Sequence, residues 1–188
     1  MSLSAVEREI LETMFLNGNP INATQITSMG NNQEDSITVI EPLVKLARMG
    51  YVNSLLEDMY MITKEGKKAL GIQLITKEEA KKIMAYTPHD KAFNFHVNAD
   101  TSLHMHAHSL QDFANKLVRI DLKTIEYHMC KGEFENWFKC LGDQELTKKA
   151  VIIKERKITG EKLQRLFHDI VTQRCQELMK LIEEQSTV

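Results

Sequence analysis

Four histidines between residues 96 and 108 are the side chains whose type and spacing best suit chemistry. Phe93, Phe95 and Val97 alternate with Asn94, His96 and Asn98, and Leu103, Met105 and Ala107 alternate with His104, His106 and His108. Alternate residues of an extended strand share a face, so His104, His106 and His108 are expected to point one way. The two runs, joined by Ala99-Asp100-Thr101-Ser102, predict a β-hairpin with His96 opposite His104 or His106 and β-carbons about 5 Å apart. Two or three neutral imidazoles at that spacing are ligands for Zn²⁺ or Ni²⁺. The run holds no carboxylate or thiol, so a fourth ligand comes from elsewhere or from water. The plainer alternative is a polar hairpin face that titrates at about pH 6–7.

His128-x-Cys130 followed by Cys140 lacks the Cys-x-x-Cys spacing of a structural zinc site. As a Cys–His nucleophilic pair it has no evident orienting group or oxyanion device. Cys130 and Cys140 are expected to be small core residues. His128 is expected to pack with its imidazole tied to a backbone carbonyl or to Glu126, and Trp137 to anchor the core. There is no Gly-rich phosphate loop and no serine nucleophile elbow, so no catalytic residue is assigned and the expectation is a protein that is not an enzyme.

The remaining candidates are contacts to nucleic acid. A helix expected over about Asp35–Met49 carries Ser36, Thr38, Lys45 and Arg48, which are the candidates for base or phosphate contacts. Charge opposes them. Residues 1–71 hold six basic and nine acidic residues, a net of −3, and Glu57-Asp58 stand where a loop tip would meet a phosphate backbone.

The elements that must position these residues are legible from caps and periodicity. Ser4 with Glu7 opens a helix to Leu16 whose stripe is Val6, Ile10, Leu11, Met14 and Phe15. A short helix, about Ala23–Ser28, is capped by Asn22, and Gly30-Asn31-Asn32 reads as a turn. The third helix buries Val39, Leu43 and Leu46 and stops at Gly50. Pro42 within it predicts either a bend or a later start. Tyr51–Leu55 and Met59–Ile62 are short strands, and Thr63 caps a helix to Leu70. Thr76 with Glu79 opens a connecting helix within Leu74–Ala85, which Thr87-Pro88-His89-Asp90 breaks. Ser109 with Asp112 caps the helix after the histidine hairpin. Further helices follow near 122–130, 132–140, 144–153 and 160–184, the last with a wide apolar stripe that packs on its own domain or on a second copy.

The Leu-x-x-Leu-x-x-x-Gly-Tyr-Val of Leu43–Val52, followed by the Tyr-x-Ile-Thr-x-x-Gly-x-x-x-Leu of Tyr60–Leu70, resembles the winged-helix superfamily. Residues of about 74–146 resemble an uncharacterised archaeal domain-of-unknown-function family often found behind a winged helix. That match is carried by Lys91-Ala92-Phe93-x-Phe95, Ser109-Leu110-x-Asp112-Phe113, Ile125-Glu126-Tyr127-His128, Gly132-Glu133-Phe134-Glu135-x-Trp137 and Leu141-Gly142-Asp143-x-Glu145-Leu146. The histidine run departs from the glycine and small polar residues associated with that stretch of the family.

Composition adds bounds. The 188 residues are 43% hydrophobic and 27% charged with a net charge of −2, enough for a core and without a global field for polyanions. Three cysteines make no disulfide framework. No run reaches the roughly 18 apolar residues of a membrane helix, and no charged-then-apolar leader opens the chain, so a cytoplasmic location is expected.

The expected fold is mainly α (α+β). A winged helix-turn-helix spans residues 1–72, a connecting helix or linker 73–90, and a mainly helical domain with a β-hairpin and a long C-terminal helix 91–188. The winged-helix resemblance implies a DNA-binding transcriptional regulator on double-stranded DNA, with the C-terminal part serving dimerisation, through the 161–184 helix, or sensing. The alternative is an adaptor whose winged helix binds protein. A third reading is a Zn- or Ni-binding protein through His96, His104, His106 and His108.

Overall fold

The computed structural model describes residues 3–30 and 36–184, with the side chains of residues 36 and 37 left out. The chain divides into two compact units, one ending at Leu74 and one beginning at Ile75. Both are mainly helical, and each carries a small two-stranded hairpin. Among the described residues, no helix is long and apolar enough to cross a membrane.

In the first unit α1 (Ala5–Asn17) begins at a reciprocal cap. Ser4 Oγ accepts from the Glu7 N–H at 3.2 Å, and Glu7 Oε2 accepts from the Ser4 N–H at 2.8 Å. Helix α2 (Ala23–Met29) begins the same way with Asn22 and Gln25. Helix α3 (Ser36–Arg48) runs continuously across Pro42. The expected Gly30–Asn32 turn and the start of this helix at Asp35 extend into 31–35, outside the described residues. Strands β1 (Val52–Ser54) and β2 (Tyr60–Ile62) pair antiparallel, with Val52 opposite Ile62 and Ser54 opposite Tyr60. Ile21 adds a short bridge to Tyr60 on the hairpin, with both backbone bonds made at 2.8–2.9 Å. Leu56–Asp58 form a tight turn at the tip, where Glu57 and Asp58 adopt positive φ. Helix α4 (Lys64–Ala69) is capped by Thr63.

Ile10, Leu11, Met14 and Phe15 of α1, Ile26 of α2, Val39, Leu43 and Leu46 of α3, and Val52 and Ile62 of the hairpin bury one core. Gly66 lets α4 press against the hairpin. A β-carbon there would collide with the Tyr51 carbonyl oxygen and lie 2.8 Å from Ile62 Cγ1.

The second unit starts with α5 (Lys77–Met84), capped by Thr76 and Glu79 as its spacing predicts. The expectation of a connecting segment over 73–90 needs correcting here. Helix α5 buries Ala80 and Ile83 and packs against α10 (Gly160–Glu183) and α6 (Leu110–Leu117), so it belongs to the second unit's core. Strands β3 (Phe93–Asn98) and β4 (Thr101–Ala107) form the second hairpin around a two-residue Ala99-Asp100 turn. Helices α7 (Leu122–Lys131), α8 (Glu133–Leu141) and α9 (Gln144–Glu155) follow, and α10 packs on α5, α6, α7 and α9.

Phe93, Phe95, Phe113, Phe134, Trp137, Phe138 and Phe167 form a contiguous aromatic core with ring centres 4.6–6.2 Å apart. Such rings supply the largest buried areas per residue and favour these tilted and edge-on contacts. The α10 stripe of Leu163, Phe167, Ile170, Val171, Cys175 and Leu178 is buried within the chain, which is the intrachain packing named above as one of two alternatives.

Candidate functional site

Three clusters carry side chains capable of chemistry or recognition: the outer face of α3 and the first hairpin, the histidine face of the second hairpin, and a buried ion network.

On α3, Val39, Leu43 and Leu46 point inward and leave Thr38, Ile40, Glu41, Val44, Lys45 and Arg48 outside. The Ser36 side chain lies outside the described residues. Lys45 is not a free cation. Its Nζ sits 2.5 Å from Glu7 Oε1, with the lysine side chain 54% exposed and the glutamate 4%. That contact, followed by the bond from the Ser4 backbone, holds the Glu7 carboxyl below its ordinary value. Ile40 (49% exposed) and Val44 (41%) lie one turn apart, and Leu56 at the hairpin tip is 89% exposed beside Glu57 and Asp58, with Leu55 and Met61 also outward. The hairpin tip is therefore apolar and acidic where phosphate recognition calls for cations, and on α3 the exposed Ile40 and Val44 stand among Glu41, Lys45 and Arg48.

The histidine face differs from its expected register. Phe93 pairs with Ala107, Asn94 with His106 and Phe95 with Met105, after which the ladder shifts and His96 lies opposite Ser102. The shift is a bulge. His104 takes a positive φ of 51°, its N–H bonded to Ser102 Oγ at 3.0 Å, and this inserts residues between the pairs. The expected juxtaposition of His96 with His104 or His106 is thereby overturned. The His96 ring lies 6.2 Å from His128 instead.

His106 and His108 have a different neighbour, His89, from the turn after α5. The His89 ring centre is 4.8 Å from that of His106 and 5.9 Å from that of His108, and His106 and His108 are 6.5 Å apart. Tyr86 stacks on His108 at 5.2 Å, with the planes 3° apart. Backbone bonds hold this arrangement. The Thr87 N–H donates to the His108 carbonyl at 2.6 Å, and the His108 N–H donates to Asp112 Oδ2 at 2.9 Å. Lys116 Nζ bonds both Asp112 and the His106 carbonyl. Partial burial, then the neighbouring His89, His108, His104 and Lys116, keep the His106 imidazole below its ordinary value. As the side chains stand, no three His, Cys, Asp or Glu among the described residues are arranged to hold one metal ion.

His128 is fully buried, and its partners are not the expected ones. Its Nε2 accepts the His96 N–H at 2.9 Å, which obliges Nδ1 to carry the ring hydrogen, and Nδ1 donates to Glu133 Oε2. Glu126, one of the two partners expected for it beside a backbone carbonyl, instead accepts from the Gly160 N–H at 2.8 Å. Burial pushes the His128 pKa down more strongly than Glu133 raises it. Both ring nitrogens are occupied, so the residue joins β3, α7 and α8 and is not available as a base. Cys130 and Cys140 need a further correction, since both are exposed and Cys175 is the buried thiol. Helix α7 turns Thr124, Ile125, His128 and Met129 inward, which leaves Cys130 outside.

The buried ion network has no counterpart in the sequence reading. Arg174 Nε donates to Asp143 Oδ2 at 2.8 Å and its Nη1 to Glu145 Oε2 at 3.1 Å, while Lys149 Nζ lies 3.5 Å from Glu145 Oε1. All four residues are buried. Burial opposes the Arg174 charge, but Asp143 and Glu145 outweigh it and hold the guanidinium above its ordinary pKa. Arg174 Nη1 also reaches Glu177 Oε2 at 3.3 Å on its own helix, and Asp143 caps α9 by accepting the Leu146 N–H at 3.0 Å. This network ties α9 to α10. The available signals were Arg174 within an otherwise apolar helix face and the Glu145–Lys149 spacing of one turn.

No family model, curated protein or solved structure matches the chain.

Proposed function

We propose that the first unit is a winged-helix module that grips a macromolecule through α3 and the β1–β2 hairpin, and that this macromolecule is a protein. The unit then acts as an adaptor, with the second unit carrying it. Support for the winged arrangement comes from the order of three helices and a hairpin, the bridge from Ile21 to Tyr60, and the α4 cap at Thr63. The observation that carries the choice of partner is the composition of the outer face. Ile40 and Val44 stand exposed on α3, and the tip presents Leu56 with two carboxylates. Exposed apolar side chains ringed by polar groups suit the core-and-rim pattern of protein interfaces. Acidic groups at a wing tip repel phosphates, and Lys45, paired to Glu7, brings little unmatched charge to counterion release.

Duplex DNA is the second reading, favoured by the exposure of Thr38 and Arg48 on α3. Fluorescence anisotropy of the full chain with a labelled generic duplex at low salt separates the two. The adaptor reading expects no saturable binding. DNA binding whose log affinity falls with log salt at a slope of about −0.9 per phosphate contacted, and which Lys45→Ala with Arg48→Ala abolishes, replaces it with the regulator.

A further inference from the structure

We propose that His106, His108 and His89 form a binding site for a divalent transition metal of the zinc class, with water completing the coordination. This site differs from the set expected from the strand pattern, because the bulge removes His96 and His104 and the turn after α5 supplies His89.

The first argument is tautomeric. A backbone carbonyl can only accept, so the 3.0 Å contact between His108 Nδ1 and the Thr87 oxygen places the ring hydrogen on Nδ1 and leaves an uncommitted lone pair on Nε2. Asn94 Oδ1 accepts from His106 Nδ1 in the same way, on the opposite strand of the hairpin. An imidazole whose other nitrogen donates to a fixed acceptor is oriented and more basic, which is the usual outer arrangement around a metal-ligating histidine. Tyr86, stacked on His108, holds that ring's plane.

The second argument is distance. Three imidazoles bound at about 2.0–2.1 Å in a tetrahedral site place their ring centres roughly 5 Å apart. The observed separations are 4.8, 5.9 and 6.5 Å. The rings stand slightly open, and on binding an ion His106 and His108 pivot about their Nδ1 bonds to Asn94 and Thr87 while His89 turns toward them. His89 is exposed, at the start of the short turn His89–Lys91, and has room to rotate. His106 and His108 sit two residues apart on one side of an extended segment, a spacing that lets two imidazoles reach a common point. Charge does not oppose the ion, since Lys116, the nearby cation, is matched by Asp112 at 2.6 Å. A site of neutral nitrogen ligands suits Zn²⁺, Ni²⁺ or Cu²⁺ over Mg²⁺ or Ca²⁺.

The test is calorimetric titration of the untagged full chain with ZnCl₂, with MgCl₂ as the contrasting ion. The expected result is saturation at one Zn²⁺ per chain and no Mg²⁺ binding. His106→Ala, His108→Ala and His89→Ala each weaken binding roughly tenfold or more, and Asn94→Ala, which removes only an orienting acceptor, weakens it by roughly tenfold. His96→Ala and His104→Ala leave the affinity unchanged. His89 lies outside both strands, so its variant separates loss of a ligand from loss of the hairpin, and circular dichroism checks the fold of each. Absence of saturable Zn²⁺ binding overturns the proposal, as does binding that survives His89→Ala and His108→Ala or disappears with His104→Ala.

Discussion

Lowering the pH should loosen the second unit through one residue, His128. The folded chain holds it neutral, with Nδ1–H donating to Glu133 and Nε2 accepting from the His96 N–H. A second proton has to go on Nε2, where it meets another donor. Burial therefore depresses the folded pKa below the ordinary value of 6.5, despite the opposing pull of Glu133. In the unfolded chain the imidazole protonates at its ordinary pKa. The unfolded state thus binds more protons in the window below 6.5, and stability rises with pH there. The contribution is fully present above about pH 6.5 and is lost as pH falls toward the folded pKa, at a limiting slope of about 1.4 kcal/mol per pH unit for one proton.

The assay is urea unfolding followed by tryptophan fluorescence, which Trp137 in the aromatic core provides, at pH values from 7.5 down to 5. His128→Gln is the control, because its amide oxygen can still accept the His96 N–H and does not titrate. The difference in stability between wild type and His128→Gln should change with pH at nearly the one-proton slope below 6.5. His106, away from His128, cancels in that difference. Parallel pH profiles for the two proteins would refute the argument.

Arg174→Met should cost about 3–5 kcal/mol, because Asp143 is left buried without its cation and Glu145 loses the guanidinium while keeping the longer contact to Lys149; chemical unfolding measures it. Gly66→Ala should destabilise the first unit by about 1–3 kcal/mol through its collision with Tyr51 and Ile62, seen as a lower thermal midpoint. Native thiol titration with a disulfide reagent should modify Cys130 and Cys140 rapidly and Cys175 only on unfolding. Cys175 is buried, and burial followed by the Asp143 charge pushes its thiol up to about 12.

The local elements were readable because their signals are local. Ser4 with Glu7, Asn22, Thr63, Thr76 with Glu79, and Ser109 each announced a helix start that hydrogen bonds to those side chains now define. The alternation around Phe93–Ala107 announced the second hairpin. Its register was not readable. A strict alternation pairs His96 with His104, and the bulge that includes His104 at positive φ puts Ser102 opposite His96 instead. His89 sits in a short turn, where no strand or helix period points to it. The bonds between Thr87 and His108 that bring it beside His106 join positions 21 residues apart.

The ion network failed for the same reason, since Arg174 meets Asp143 from 31 residues away. The α3 candidates illustrate the limit from the other side. Lys45 is a candidate by its charge alone, and its pairing with Glu7 of α1 is a tertiary fact.

Photo-crosslinking from the hairpin tip tests the central claim most directly. A benzophenone amino acid replaces Leu56 in the full chain, which is irradiated in the cells that naturally make it. The adaptor account predicts an adduct that resists nuclease and is degraded by protease down to a crosslinked peptide. An adduct removed by nuclease, or none at all from this position, would contradict it.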